Sequence, residues 1–197
     1  MKIIGHRGAR GEAPENTLAS FRHAYQQGIR HFELDIRLSQ DGELMVIHDK
    51  TTERTTGQSG TVADLTAAQL TTMDAARHIP IWHEPASIPL LSEVLQTCED
   101  FQSIQFEVKP DSKSRLNTLC NRLVELIQTQ ELYSRVVVTS SSSWVVQRIK
   151  SMNSDIATGY VADSRFPNPL QQTLKFSCNI LVLNYKLAEQ TVVEESR

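Results

Sequence analysis

Seven short apolar runs alternate with stretches of helical period along this chain, and that alternation limits the fold more than any other feature. The runs fall at residues 2–5, 31–38, 44–48, 104–109, 136–140, 156–161 and 180–185. Residues 16–27 place Leu18, Phe21, Ala24 and Tyr25 on one helical face, with Asn16 as a cap and Gly28 as a stop. Residues 116–129 do the same with Leu116, Leu119, Cys120, Leu123 and Ile127. Strands separated by helices predict α/β architecture with a parallel sheet. The 197 residues with 40% apolar content suit one domain spanning 1–197. Residues 49–88 break the rhythm: they hold Gly57, Gly60, Pro80 and Pro85 and one short helical pattern over 65–73, which predicts an inserted subdomain.

Composition excludes several classes of function. Twenty Lys and Arg against 23 Asp and Glu give a net charge of -3, with no basic surface for nucleic acid or anionic membrane. No stretch approaches the ~18 apolar residues of a membrane span. His6 and Arg7 interrupt the amino terminus before a signal sequence could form, so a cytoplasmic protein is expected. Cys98, Cys120 and Cys178 are odd in number and far apart, which speaks against both a disulfide scaffold and a thiolate metal site.

Two of the strands carry the chemistry. A strand covered on both faces normally reads as a continuous apolar run. Residues 31–38 instead alternate: Phe32, Leu34, Ile36 and Leu38 share one face, and His31, Glu33, Asp35 and Arg37 the other. Residues 104–109 repeat the pattern, with Gln105, Glu107 and Lys109 opposite Ile104, Phe106 and Val108. Solvated edge strands are the plain explanation, but a barrel interior accounts for two such strands at once. Glu33, Asp35 and Glu107 would then offer three oxygen ligands to a hard divalent cation, Mg2+ or Ca2+. His6 and His48 follow apolar runs, at the strand ends where an α/β barrel builds its active site. They suit a pair of general acid and base, or metal ligands for a transition metal. Arg7 and Lys109 suit phosphate oxygens.

The segments HRGARGEAPENTLASF (6–21), ELD (33–35), DGELMVIHD (41–49), RTTGQSGTVADLT (54–66), PLLSEVL (89–95) and EVKP (107–110) occur in this order. Together they resemble the glycerophosphodiester phosphodiesterase family, in particular its short bacterial cytoplasmic members. The resemblance implies a TIM-type (β/α)8 barrel with the insertion after the third strand. It also implies metal-dependent hydrolysis of glycerophosphodiesters to sn-glycerol 3-phosphate and an alcohol. In that frame Glu33, Asp35 and Glu107 bind Mg2+ or Ca2+, His6 and His48 form the acid-base pair, Arg7 and Lys109 hold the phosphate, and Glu15 supports the substrate site. The alternative readings are lysophospholipase D type hydrolysis, for which Ile79, Ile81 and Trp82 would offer apolar lining to an acyl chain, and a truncated, inactive barrel that binds metal or phosphate. The seventh run ends near Tyr185 and residues 187–197 read as helix, so the expected barrel lacks its last β/α unit. A longer natural chain or a second copy of this one would cover the open edge.

Overall fold

A computed structural model describes residues 2–188 of the chain. These fall into two compact units, one up to Glu107 and the other from Val108 onward.

The first unit is organised around β2 (His31–Leu38). Strand β1 (Gly5–His6) runs parallel to it, pairing His6 with Glu33, and β4 (Ser103–Val108) follows β2 in the strand order. Helix α1 (Leu18–Gln26) starts at Thr17, whose hydroxyl accepts the Ser20 N–H, and buries Phe21 and Ala24. Phe21 meets Phe32 of β2 edge-on at 5.8 Å, which joins the helix to the sheet. The N-cap is therefore Thr17 rather than Asn16, and Gly28 at φ +85° ends the helix as expected. Strand β1 is shorter than the apolar run suggested, and Ile3 and Ile4 before it are exposed.

Strand β3 (Leu44–Val46) corrects the expectation of a parallel third strand. It pairs antiparallel with β2, Leu38 opposite Leu44 and Ile36 opposite Val46, and stands off the main strand path. The physical reason is the length of the connection. A parallel crossover needs about a dozen residues or more, whereas only residues 39–43 lie between the strands, enough for a hairpin alone. Ser39 closes it through N–H to the Glu43 carbonyl, and Gly42 supplies φ +85°.

The segment over 49–88, read from the sequence as an insertion, packs in a hydrophobic cluster that it shares with the β3 region. Val62, Ala67, Leu70, Met73, Ala75 and Ile88 pack on Met45 and Ile47, at and just after β3. The helical pattern over 65–73 condenses to α3 (Ala67–Leu70), closed by a Thr66–Gln69 capping box, and is preceded by α2 (Glu53–Thr56). Helix α4 (Leu91–Thr97) then returns the chain to β4, burying Leu91, Val94 and Leu95.

In the second unit β5 (Val136–Ser140), β6 (Ala157–Ala162) and β7 (Ile180–Leu183) run parallel. They alternate with α5 (Lys113–Thr129), α6 (Ser143–Met152) and α7 (Pro169–Lys175). The predicted face of α5 is the buried one. Ser140, in the serine-rich run, is fully buried and donates to the Val108 carbonyl at 2.7 Å, which makes it a structural hydroxyl. Burial pushes the Cys98 and Cys120 thiols up to about 11, the state of inert core cysteines. Tyr185–Leu187 form a 3-10 turn; the rest of the helix expected over 187–197 lies outside the described residues from 189 onward. Among the described residues no helix is long and apolar enough to cross a membrane.

Candidate active site

The alternation in β2 puts Phe32, Leu34, Ile36 and Leu38 into the core and aims Glu33 and Asp35 the other way, yet both carboxylates are buried too. This strand is covered on both faces, one apolar and one charged. Glu107 joins from β4, and one oxygen of each of the three carboxylates lies within 4.8 Å of the others. Such crowding costs energy when all three are ionised. Burial, followed by the charges of Asp35 and Glu107, pushes the Glu33 carboxyl well above the usual carboxylate range. Glu33 Oε1 is buried with no hydrogen-bond partner. An all-oxygen donor set with a buried free acceptor fits a hard divalent cation, and the absence of His or Cys from the set disfavours a soft one.

Short contacts fix these carboxylates. The Arg7 N–H donates to the Glu33 carbonyl at 3.0 Å and to Glu33 Oε2 at 3.1 Å. Asn16, with φ +58°, donates its side-chain amide to Asp35 Oδ2 at 2.7 Å. Asn16 was expected to cap a helix; it orients a carboxylate instead, and its left-handed backbone is a strain that Asn tolerates better than most residues.

The predicted basic residues take distinct places. His6 Nε2 lies 3.7 Å from Glu33 Oε2, and the ring is half open to solvent. Burial, then the neighbouring Arg7 charge, lowers its pKa below the ordinary histidine value, favouring the neutral imidazole. Arg7 is buried between Asp35 (Nε–Oδ2 3.0 Å) and Glu15 (Nη1–Oε1 2.9 Å). Glu15 is a hub, receiving both terminal nitrogens of Arg54 and lying 3.4 Å from Arg10 Nε and 3.9 Å from His78 Nε2. Burial alone would raise the Glu15 pKa, but the hydrogen bonds from Arg54 and Arg7 hold it down at about 2. His48 comes to this network through Asp49, whose Oδ1 lies 2.7 Å from His48 Nδ1 and whose other oxygen accepts Arg54 Nε–H. Ile47 N–H donates to the Asp35 carbonyl, so the hairpin return of β3 carries His48 back alongside β2. Lys109 follows β4 as a half-buried residue at the start of the second unit. Sequence reasoning placed none of Arg54, Asp49 and Asn16 in the site, and gave Asn16 only the role of a helix cap. Arg54 stands in the RTTGQSG segment, and only that motif could have pointed to it.

The model of the glycerophosphoryl diester phosphodiesterase family matches residues 6–195. The chain belongs to that family. A Bacillus altitudinis glycerophosphodiester phosphodiesterase is 36% identical over 140 residues, 71% of this chain and 57% of that protein. Its counterpart from Caldanaerobacter subterraneus subsp. tengcongensis is 30% identical over 88% of this chain and 71% of its own length. The chain therefore spans between about half and three quarters of these family members. The crystal structure of a glycerophosphodiester phosphodiesterase from Agrobacterium tumefaciens superposes with a TM-score of 0.84 at 27% identity, covering 100% of this chain and 82% of that one. An Oleispira antarctica phosphodiesterase, in complex with the product sn-glycerol-3-phosphate, gives 0.88 at 26% over 99% and 79%. The fold is thus the family's TIM-type barrel. The described residues contribute six strands on the main path and β3 beside it.

Proposed function

We propose that this site hydrolyses glycerophosphodiesters to sn-glycerol 3-phosphate and a free alcohol. Glu33, Asp35 and Glu107 would hold Mg2+ or Ca2+. The observation that carries the reading is the three-carboxylate cluster with His6 3.7 Å from one of its members, in a chain of this family. The Oleispira antarctica phosphodiesterase, at 26% identity, is in complex with the corresponding product.

A cation held by Glu33, Asp35 and Glu107 would supply positive charge to offset the negative charge that develops on the phosphoryl group. The remaining work falls to side chains of the chain itself. The neutral imidazole of one histidine takes the proton from the attacking oxygen, which is either water or the adjacent glycerol hydroxyl; attack by the hydroxyl forms a cyclic phosphate, which water opens to glycerol 3-phosphate in a second step. The other histidine, in its protonated form, gives a proton to the departing alkoxide. Arg7 donates one N–H to Glu15 and forms an ion pair with Asp35 through Nε, and its other N–H donors would serve a phosphoryl oxygen. Glu15 holds Arg7 in place, and by its position in the family motif Lys109 would act as a second cationic donor.

Hydrolysis of glycerophosphocholine, followed as released glycerol 3-phosphate with and without a chelator, tests the reading. Turnover that requires Mg2+ or Ca2+ is the expected result; its absence in the presence of either cation would overturn it. The exposed Ile81 beside Trp82 favours one second reading, hydrolysis of lysophosphatidylcholine, where the insertion would meet the acyl chain. Faster turnover of that lipid than of glycerophosphocholine would make it the better account.

A further inference from the structure

Arg54 ties the two halves of the basic network together. Its Nη1 and Nη2 grip Glu15 at 3.1 and 2.7 Å, and its Nε donates to Asp49 Oδ2. Glu15 in turn holds Arg7, which pairs with Asp35; Asp49 holds His48. Five side-chain contacts thus run without a gap from Asp35 to His48: Asp35–Arg7, Arg7–Glu15, Glu15–Arg54, Arg54–Asp49 and Asp49–His48.

The link rests on a rigid support. Thr52 is fully buried with its hydroxyl on the Gln58 carbonyl at 2.6 Å, and the Thr56 hydroxyl returns to the Thr52 carbonyl at 2.8 Å. Gly57 ends α2 at φ +69°, and a Cβ on Gly60 would stand 2.7 Å from Leu65 Cδ1. Backbone and side chains around Arg54 are therefore held in one arrangement, while the guanidinium itself is partly open.

Asp49 is held at a pKa of about 2 and is ionised at neutral pH, so it can only accept hydrogen bonds. The His48 nitrogen facing it, Nδ1, must carry the proton, and Nε2 is left to exchange protons with the substrate. We propose that Arg54 is a positioning residue that fixes His48 through Asp49, and so sets which imidazole nitrogen meets the reacting group. The inference rests on the phosphodiesterase reading for its activity assay, but not for its structural one. Only an arginine suits the position: a planar fork can bridge two carboxylates, and the point charge of a lysine cannot hold both in fixed directions.

The experiment compares Arg54→Ala, Arg54→Lys, Asp49→Asn and the double variant Arg54→Ala/Asp49→Asn on glycerophosphocholine. Removing an outer support of this kind lowers kcat by ~10–100-fold. KM stays within about twofold of the parent enzyme, on the order of 0.4 kcal/mol. Lysine restores little of the loss, and the double variant is no slower than the slower single one, because both changes cut the same link. A rise in KM with kcat retained would make Arg54 a substrate-binding group, and losses that multiply would make the two residues independent; either overturns the proposal. In parallel, 15N-histidine NMR should show a downfield, slowly exchanging His48 Nδ1 proton in the parent protein that is lost in Arg54→Lys and Asp49→Asn. An unchanged signal in Arg54→Lys also overturns it. Should the parent protein release no glycerol 3-phosphate, the phosphodiesterase reading fails and the NMR result alone decides the fate of the bridge. Should Arg54→Ala not fold, Arg54→Lys and Asp49→Asn carry both tests.

Discussion

Glu33 and Glu15 are the same residue type, buried to almost the same extent, at 8% and 4% exposed, and their carboxyls are shifted in opposite directions. Burial comes first among the causes for both and pushes both up. Their neighbours decide the outcome. Glu33 faces Asp35 and Glu107, two further negative charges, and keeps a buried oxygen with no hydrogen-bond partner. Glu15 faces Arg7, Arg54 and Arg10. One carboxylate cluster therefore crowds like charge together, while the other is already neutralised by protein side chains. The first has the electrostatics of a ligand site and the second those of a structural support.

Substitutions can break this contrast. The largest effect is expected from Glu33→Gln with Asp35→Asn, which removes the charge that would hold a cation. Glycerophosphocholine turnover should fall by ~10³-fold, several kcal/mol of transition-state stabilisation, and lose its dependence on added Mg2+ or Ca2+. His6→Ala and His48→Ala should each cost ~10²-fold or more in kcat, the usual scale of general acid-base catalysis, measured at saturating cation. Near-parent rates in both would remove the histidines from the mechanism.

Stability measurements sharpen the comparison further. Glu15→Gln leaves Arg7 and Arg54 without their shared buried counter-charge, and destabilisation on the order of 3 kcal/mol is expected from thermal or urea unfolding. The folded-state pKa of Glu15 is depressed from 4.5 to about 2. Its contribution is thus fully present above pH 4.5 and disappears as pH falls through about 2. The gap in Tm between the parent protein and Glu15→Gln should shrink across that window; a constant gap would mean that packing, not charge, supplies the effect. The smallest change is expected from Glu33→Gln in cation-free protein. Relief of like-charge crowding should leave Tm equal or higher, the opposite sign to Glu15→Gln.

How much of this was legible in the sequence differs by element. The polar faces of 31–38 and 104–109 identified the carboxylates because period-two alternation in a doubly covered strand has few explanations. The helical faces of α1 and α5 were legible for the same reason, since hydrophobic period reports burial directly. Strand β3 was misjudged because its residues match a buried strand of either direction, and only the five-residue connection before it excludes the parallel one. Asn16 looked like a cap because the sequence alone does not reveal its positive φ. The role of Arg54 depends on Glu15 and Asp49, which lie 39 and 5 residues away along the chain, and no local pattern encodes such a bridge. Lys109 matched the family motif, and its role stays tied to that resemblance.

The most direct test of the contrast between the two clusters is titration of chelator-treated protein with Mg2+ and Ca2+ while glycerol 3-phosphate release from glycerophosphocholine is followed, in parent, Glu33→Gln/Asp35→Asn and Glu15→Gln proteins. The predicted result is cation-dependent turnover in the parent and in whatever folded fraction of Glu15→Gln remains, and none in the double carboxylate variant. Turnover in the parent that persists in chelator, or cation-dependent turnover in the double variant equal to that of the parent, would contradict the assignment of Glu33 and Asp35 as the cation site.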